Sequence, residues 1–339
     1  MVIDLHTHAY PEGYLEFLAR LGDRAPRRPV RGSDGRWYWQ EAGGLSPVPP
    51  GFYDLQARLQ DMDRWGVDVQ CVSLTTPGLY WAPPQEAAAL ARVVNDGLAE
   101  MARACPGRLV PVASLPLQDP PAAVRELERA VEQLGMRAVF WGSHVAGRPP
   151  DDPALAPVLE AARSLGVLVM VHPVRTPGEP RLGSYHLDNL VGFPFENALA
   201  AARLLFSGTF RRLRGLRWYF THLGGAVPFL RGRWQRGAVA YDELRGGPAG
   251  PPEQWWEDVY LDTVCFDDDI LRFGLVWPGP KRLVFGTDYP FAMRDPEGPQ
   301  RIRRVVAPGA DRERILWQNA AGLLGLPAPQ SMQTGGQQP

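Results

Sequence analysis

The sequence predicts an α/β protein folded as a single (β/α)8, or TIM, barrel, and three observations carry that expectation. Short aliphatic and β-branched runs alternate along the chain with segments of helical periodicity. Four of the six histidines stand where such runs end. A chain of 339 residues matches one barrel with insertions.

In chain order the predicted strands are 2–6, 69–74, 109–114, 138–141, 167–172, 217–222, 259–262 and 282–288. Each is followed by a predicted helix, at 54–65, 85–105, 122–134, 154–165, 196–206, 227–244, 268–275 and 300–306. A further helix over 312–324 would close the barrel. The barrel is thus expected to occupy residues 1–326 as one domain. Residues 11–51 form an insertion after the first strand, with a hairpin turning at Ser33-Asp34-Gly35. A loop in that position overhangs the face where barrel enzymes work, so it is a candidate lid. The glycine- and glutamine-rich composition of 327–339 predicts a disordered tail.

Catalytic groups in such barrels sit at the carboxyl ends of strands, which gives the histidines their meaning. Within Val2-Ile3-Asp4-Leu5-His6-Thr7-His8 the two histidines are one residue apart, and side chains at i and i+2 of a strand share a side. His172 ends the fifth strand and His222 the sixth, while Asp288 closes the eighth beside the first. Neutral imidazole and carboxylate are ordinary ligands of a borderline divalent ion. His6, His8, His172 and Asp288 therefore make a four-residue shell, most simply for Zn2+, with Mn2+ as the alternative. Asp4 shares the parity of His6 and reads as a buried carboxylate bonded to a ligand or barrel neighbour. Asp262 either orients a ligand or caps the following helix. His144 reads as a loop group beside the site and His186 as structural. Trp37, Trp39, Trp141, Trp255 and Trp256 read as packing residues.

Composition narrows the function further. The chain is 45% hydrophobic and 22% charged, ordinary values for a soluble protein with a large core. A formal charge of −1 offers no footprint for nucleic acid or an anionic membrane. Cys71, Cys105 and Cys265 are too scattered for a disulfide framework or a thiolate zinc site. No secretory leader or run of 18 apolar residues is found, so a cytoplasmic enzyme is expected. Of the 36 basic residues, Lys281 is the one lysine and 35 are arginine. Lys281 lies before the last strand, at the end of the barrel away from the active face. A Schiff-base lysine and a carbamylated-lysine bridge between two metals are accordingly set aside.

Several local patterns resemble the amidohydrolase superfamily, in its branch of metal-dependent decarboxylases. They are Ile3-Asp4-Leu5-His6-Thr7-His8, Val171-His172-Pro173, Thr221-His222-Leu223-Gly224-Gly225 and Gly286-Thr287-Asp288-Tyr289-Pro290-Phe291. The 2-amino-3-carboxymuconate 6-semialdehyde decarboxylase family is further resembled in the runs 58–67, 80–82, 142–145 and 228–233. The chain departs from that family at Asp188-Asn189-Leu190-Val191-Gly192-Phe193-Pro194, where Asn189 replaces an aromatic residue.

The resemblance implies that His6, His8, His172 and Asp288 bind one zinc ion and that His222 is the catalytic base, with Asp288 beside it in the catalytic centre. It implies that Arg58 and Arg233 bind carboxylates of the substrate, Arg233 across the interface of a homodimer. The planar fork of arginine suits that task. The implied reaction is non-oxidative decarboxylation of a carboxylated muconate semialdehyde or a hydroxybenzoate-like acid, a step in aromatic-compound catabolism, using metal-activated water and the histidine base. Two alternatives stay open. The same metal and base would serve a hydrolase of a lactone, an amide or a ring-cleavage product, and a silent relative would be a ligand-binding protein.

Overall fold

The computed structural model describes residues 1–175 and 180–327. Eleven strands run in chain order as β1 (Ile3–His8), β2 (Arg28–Arg31), β3 (Trp37–Glu41), β4 (Gly44–Pro47), β5 (Val69–Ser73), β6 (Leu109–Ala113), β7 (Ala138–Gly142), β8 (Leu168–His172), β9 (Trp218–Phe220), β10 (Val259–Asp262) and β11 (Leu283–Val284). Eight of them form one parallel sheet in the order β1-β5-β6-β7-β8-β9-β10-β11. The predicted barrel is therefore present.

The sheet closes where β11 meets β1. The ladder of β11 covers two residues, but the backbone beyond it keeps bonding to β1: Leu5 donates to Phe285 O, Asp288 to His6 O and His8 to Tyr289 O, at 2.9, 2.9 and 2.8 Å. The predicted strand 282–288 is thus extended along its length, with irregular pairing. Gly286 makes this crossing possible, since a Cβ there would stand 2.8 Å from His6 Cβ and 3.1 Å from Asp262 Cβ. β1 is longer than predicted and holds both histidines, with a bulge between Asp4 and Thr7. Bulges re-aim side chains, and this one contains His6.

The helices match the periodicity to within a few residues. Leu55–Trp65 is capped by Asp54, whose carboxylate accepts from Gln56 N and Ala57 N, and it ends at Gly66 with φ +66°. Pro84–Ala104, Pro120–Glu132, Ala156–Ser164, Phe193–Phe206, Val227–Ala240, Asp268–Val276 and Gly298–Val305 follow in order. The predicted closing helix is broken into Ala310–Glu313, a wide turn over Arg314–Gln318, and Asn319–Leu324. This last piece seals the amino-terminal mouth of the barrel. Ile3, Val69, Ala138 and Leu168, at or near strand starts, share a buried cluster with Ala320, Leu323 and Leu324.

The insertion after β1 is larger than a hairpin. A helix, Glu12–Leu21, precedes an antiparallel sheet of β2, β3 and β4, and the expected turn joins β2 to β3. Trp37 and Trp39 face inward from β3 and are 4% and 3% exposed. Trp39 meets Tyr10 edge-on, which fixes the insertion to the rim of the barrel. The predicted tail lies outside the described residues beyond Pro327.

Candidate metal centre

His6, His8, His172, His222 and Asp288 meet at the carboxyl-terminal mouth. The ring centroids of His6 lie 5.2, 5.3 and 4.8 Å from those of His8, His172 and His222. His8 and His172 are 4.9 Å apart. Asp288 sits among them, with Oδ1 3.2 Å from His8 Nε2 and 3.4 Å from His6 Nε2, and Oδ2 3.5 Å from His222 Nε2.

The surrounding hydrogen bonds decide which nitrogen of each ring faces inward. His6 Nδ1 donates to Asp262 Oδ2 at 2.8 Å, and His172 Nδ1 donates to Pro173 O at 2.8 Å. Ser73 Oγ gives its proton to Thr7 O at 3.2 Å and so accepts from His8 Nδ1 at 3.0 Å. This network assigns the protons of His6, His8 and His172 to Nδ1 and leaves each Nε2 with its lone pair directed at the centre. His6 Nε2, His172 Nε2 and His222 Nδ1 are buried and have no hydrogen-bond partner.

Lone pairs and a carboxylate brought together without protons repel one another, and a cation removes that repulsion. The titration behaviour agrees. Burial, reinforced by the neighbouring rings, holds His172 well below the usual imidazole range, and burial pulls His8 down to about 4. Both rings stay neutral, the ligating form. Burial on its own would raise Asp288, but His6, His222 and His8 hold it well below the usual carboxylate range. His6, His172, His222 and Asp288 offer ligand atoms within 4.8 Å of one another and form a divalent-metal site. His8 is not in that tightest quartet, although its Nε2 faces the same carboxylate.

The loops that hold these groups are constrained. His222, Leu223 and Asp288 have φ of +55°, +51° and +61°, a conformation costing roughly 1–3 kcal/mol for a residue with a side chain. Asp262 holds the first two in place. Its carboxylate accepts from His222 N at 2.9 Å, Leu223 N at 2.7 Å, Val264 N at 3.0 Å and Tyr219 Oη at 3.1 Å, in addition to His6. One acid therefore orients a ligand ring and the turn carrying His222. The helix-capping alternative belongs to Asp267, which accepts from Asp269 N and Ile270 N. Asp4 bonds its barrel neighbour Thr287, through N at 3.0 Å and Oγ1 at 2.5 Å, and burial pushes its carboxyl up to about 7.

One expectation from the sequence comes out differently. Arg58, expected to hold a substrate carboxylate, is fully buried behind β1. Its terminal nitrogens donate to Gln70 Oε1 and Gly51 O at 2.7 Å, to Thr7 Oγ1 at 3.4 Å and to His8 O, and its guanidinium lies 4.8 Å from the centre of the Tyr289 ring. All its terminal N–H groups are engaged, so it clamps β1 to the insertion instead of facing a ligand. His144 ties its own loop, donating through Nε2 to Arg175 O and accepting from Gly147 N. Arg233 is exposed on the helix Val227–Ala240, without hydrogen bond or ion pair among the described residues. His186 is exposed, and the five tryptophans are buried.

Sequence reading missed Ser73 and Phe140, which lie against His8 and His172. Their only signal is position, since each lies at or near the end of a strand neighbouring or close to a histidine-bearing one.

A parallel barrel with convergent imidazoles and a carboxylate at its carboxyl-terminal mouth defines a metal-dependent enzyme of the barrel class. The chain belongs to the amidohydrolase family, whose model, described as Amidohydrolase, matches residues 3–326, and within it to the metal-dependent decarboxylases. It is 32% identical over 337 residues to the 2-amino-3-carboxymuconate-6-semialdehyde decarboxylase of Dictyostelium discoideum, covering 96% of this chain and 91% of that protein. It is also 32% identical over 313 residues to the gamma-resorcylate decarboxylase of Rhodococcus jostii, covering 82% and 92%. A dihydroxybenzoic acid decarboxylase structure from Polaromonas, with bound manganese and 2-nitroresorcinol, superposes with a TM-score of 0.77 at 26% identity, covering 98% of each chain. Among the described residues no helix is long and apolar enough to cross a membrane.

Proposed function

We propose that this decarboxylase acts without an oxidant on a planar, unsaturated acid, either a carboxylated muconate semialdehyde or a hydroxybenzoate. The observation that carries the reading is the convergence of unprotonated Nε2 atoms on Asp288, beside a half-buried histidine on a strained turn. The relatives acting on such acids support the choice of substrate.

His6, His8, His172 and Asp288 would hold the ion, which we assign as zinc from the nitrogen-rich donor set, although a relative carries manganese. When bound, it supplies Lewis acidity toward substrate oxygens. His222 moves the proton. Burial opposes its charged form, but Asp288 and Asp262 outweigh burial and raise its pKa, so the ring is set to carry a proton. The bond to the carboxylate breaks, its electron pair passes into the conjugated skeleton, carbon dioxide leaves, and a proton comes to the vacated carbon.

Arg233 is the remaining arginine for a substrate carboxylate. Its exposure and free guanidinium suit a role across a homodimer interface, beside the exposed Phe229 of the same helix. The insertion serves as a lid, and three unpaired cysteines accord with a cytoplasmic setting.

Reaction in deuterium oxide, followed by NMR of the product, tests this function. One deuteron at the carbon that lost carbon dioxide is expected. A product that has gained a hydroxyl or a new carboxylate would instead establish the hydrolase.

A further inference from the structure

Four consecutive residues after β9 stand in the left-handed region: His222, Leu223, Gly224 and Gly225, with φ of +55°, +51°, +70° and +61°. Two of them carry side chains, and such a run persists only where its surroundings over-determine it. Asp262 supplies one side of the restraint, through the amides of His222 and Leu223. The other side is the opening of the helix Phe193–Phe206, which bears no metal ligand and no proton carrier.

This helix holds both ends of the turn. At the entry, Asn197 donates through Nδ2 to Thr221 O at 2.7 Å and to Thr221 Oγ1 at 3.5 Å. Thr221 O also takes the amide of Gly224 at 3.0 Å, so Asn197 bonds the very carbonyl that closes the turn. A carbonyl only accepts, and that fixes the orientation of the Asn197 amide. At the exit, Ala226 N donates to Pro194 O at 3.1 Å, and the helix start lies so close that a Cβ on Gly225 would overlap the Pro194 carbonyl. Asn197 is fully buried, and its Oδ1 has no hydrogen-bond partner among the described residues. An apolar side chain of that size would orphan no acceptor of its own, so the reason for an amide here is what it donates to Thr221.

The neighbouring helix residue reaches a metal ligand. Glu196 accepts from Ser143 Oγ at 2.9 Å, Ser143 Oγ accepts from Val174 N at 3.1 Å, and Ser143 N donates to His172 O at 2.9 Å. Consecutive residues of one helix therefore hold the backbone on either side of the gap between the His172 and His222 rings, whose centroids are 5.4 Å apart.

Resting on the reading of His222 as the proton carrier, we propose that Asn197 is a positioning residue for the decarboxylation: through Thr221 it holds the His222 turn in the place from which the ring delivers its proton, while Glu196 fixes the His172 side of the same gap. Asn197 touches neither substrate nor ion. Its effect falls on turnover and not on binding.

The test uses metal-loaded protein and carbon dioxide release from whichever hydroxybenzoate or carboxylated muconate semialdehyde wild type turns over fastest. Two variants are compared, Asn197→Ala and the milder Asn197→Ser, whose hydroxyl is satisfied by its own helix and falls short of Thr221 O. In both, kcat should fall about 10- to 100-fold, with KM within about twofold of wild type and metal content unchanged. The amides of 221–226 should exchange faster with deuterium oxide, while those of β1 stay protected. Leu323→Ala, destabilised at the sealed mouth, should keep the wild-type kcat, which separates positioning from a general loss of stability. In the His222→Ala background, Asn197→Ser should lower kcat no further. Wild-type kcat in both variants, a loss confined to KM or to metal content, unchanged exchange across 221–226, or a further fall in the His222→Ala background would each overturn the assignment. If His222→Ala keeps wild-type turnover, or wild type releases carbon dioxide from no acid, the reading beneath it fails instead; faster exchange in Asn197→Ser then upholds the hold on the turn, and unchanged exchange overturns that as well.

Discussion

The two mouths of the barrel are made by the same eight strands and have opposite chemistry. At the amino-terminal mouth, Ile3, Val69, Ala138 and Leu168 pack against Ala320, Leu323 and Leu324, and nothing polar is asked of them. At the carboxyl-terminal mouth, β1, β8 and β10 end in His8, His172 and Asp262, and the loops beyond β9 and β11 add His222 and Asp288. Within β1 a few residues separate the sealed Ile3 from His6. The difference teaches that stability and chemistry are divided along the barrel axis, with local strain accepted at the working end. That division is open to attack from both sides.

The largest effects are expected at the working end. His222→Ala should lower turnover by roughly 10²- to 10⁴-fold while metal content, read by elemental analysis, stays at the wild-type level. His8→Ala should lose the metal itself. The reverse result would make His222 the ligand and His8 the proton carrier, a choice the tight quartet with His222 leaves to experiment.

At the sealed end, Leu323→Ala should cost about 2–5 kcal/mol in denaturant unfolding and leave metal affinity and KM unchanged. A loss of metal in this variant would show that the two mouths are coupled.

A smaller effect, on the boundary between orientation and chemistry, is expected of Asp262→Asn. Exchanging one acceptor oxygen for an amide disturbs the His6 bond and the turn of His222 together, so metal affinity or turnover should fall roughly 10- to 100-fold, and the buried donors left facing the amide should cost about 1–3 kcal/mol in unfolding. Wild-type affinity and turnover would reduce Asp262 to a packing residue.

The working end was the more legible in sequence because its chemistry needs particular residue types. Histidines at strand ends announce themselves, and β–α alternation shows which ends converge. Arg58 shows where such reading stops. Its type and its place in a family-like run suggested a carboxylate, yet the folded chain turns it behind β1 onto the carbonyls of Gly51 and His8. Whether an arginine faces a ligand or clamps a backbone depends on which carbonyls tertiary packing brings to it. The insertion was located, but its third strand was not, because Gly44–Pro47 lacks the β-branched alternation that marks a strand.

The most direct test of the central claim is carbon dioxide release from carboxylated muconate semialdehydes and hydroxybenzoates, measured on chelator-stripped protein and during stepwise reloading with zinc or manganese. Release should vanish on stripping and return in full at one equivalent of metal per chain. Undiminished release from metal-free protein, or none from fully loaded protein on any of these acids, would contradict the account.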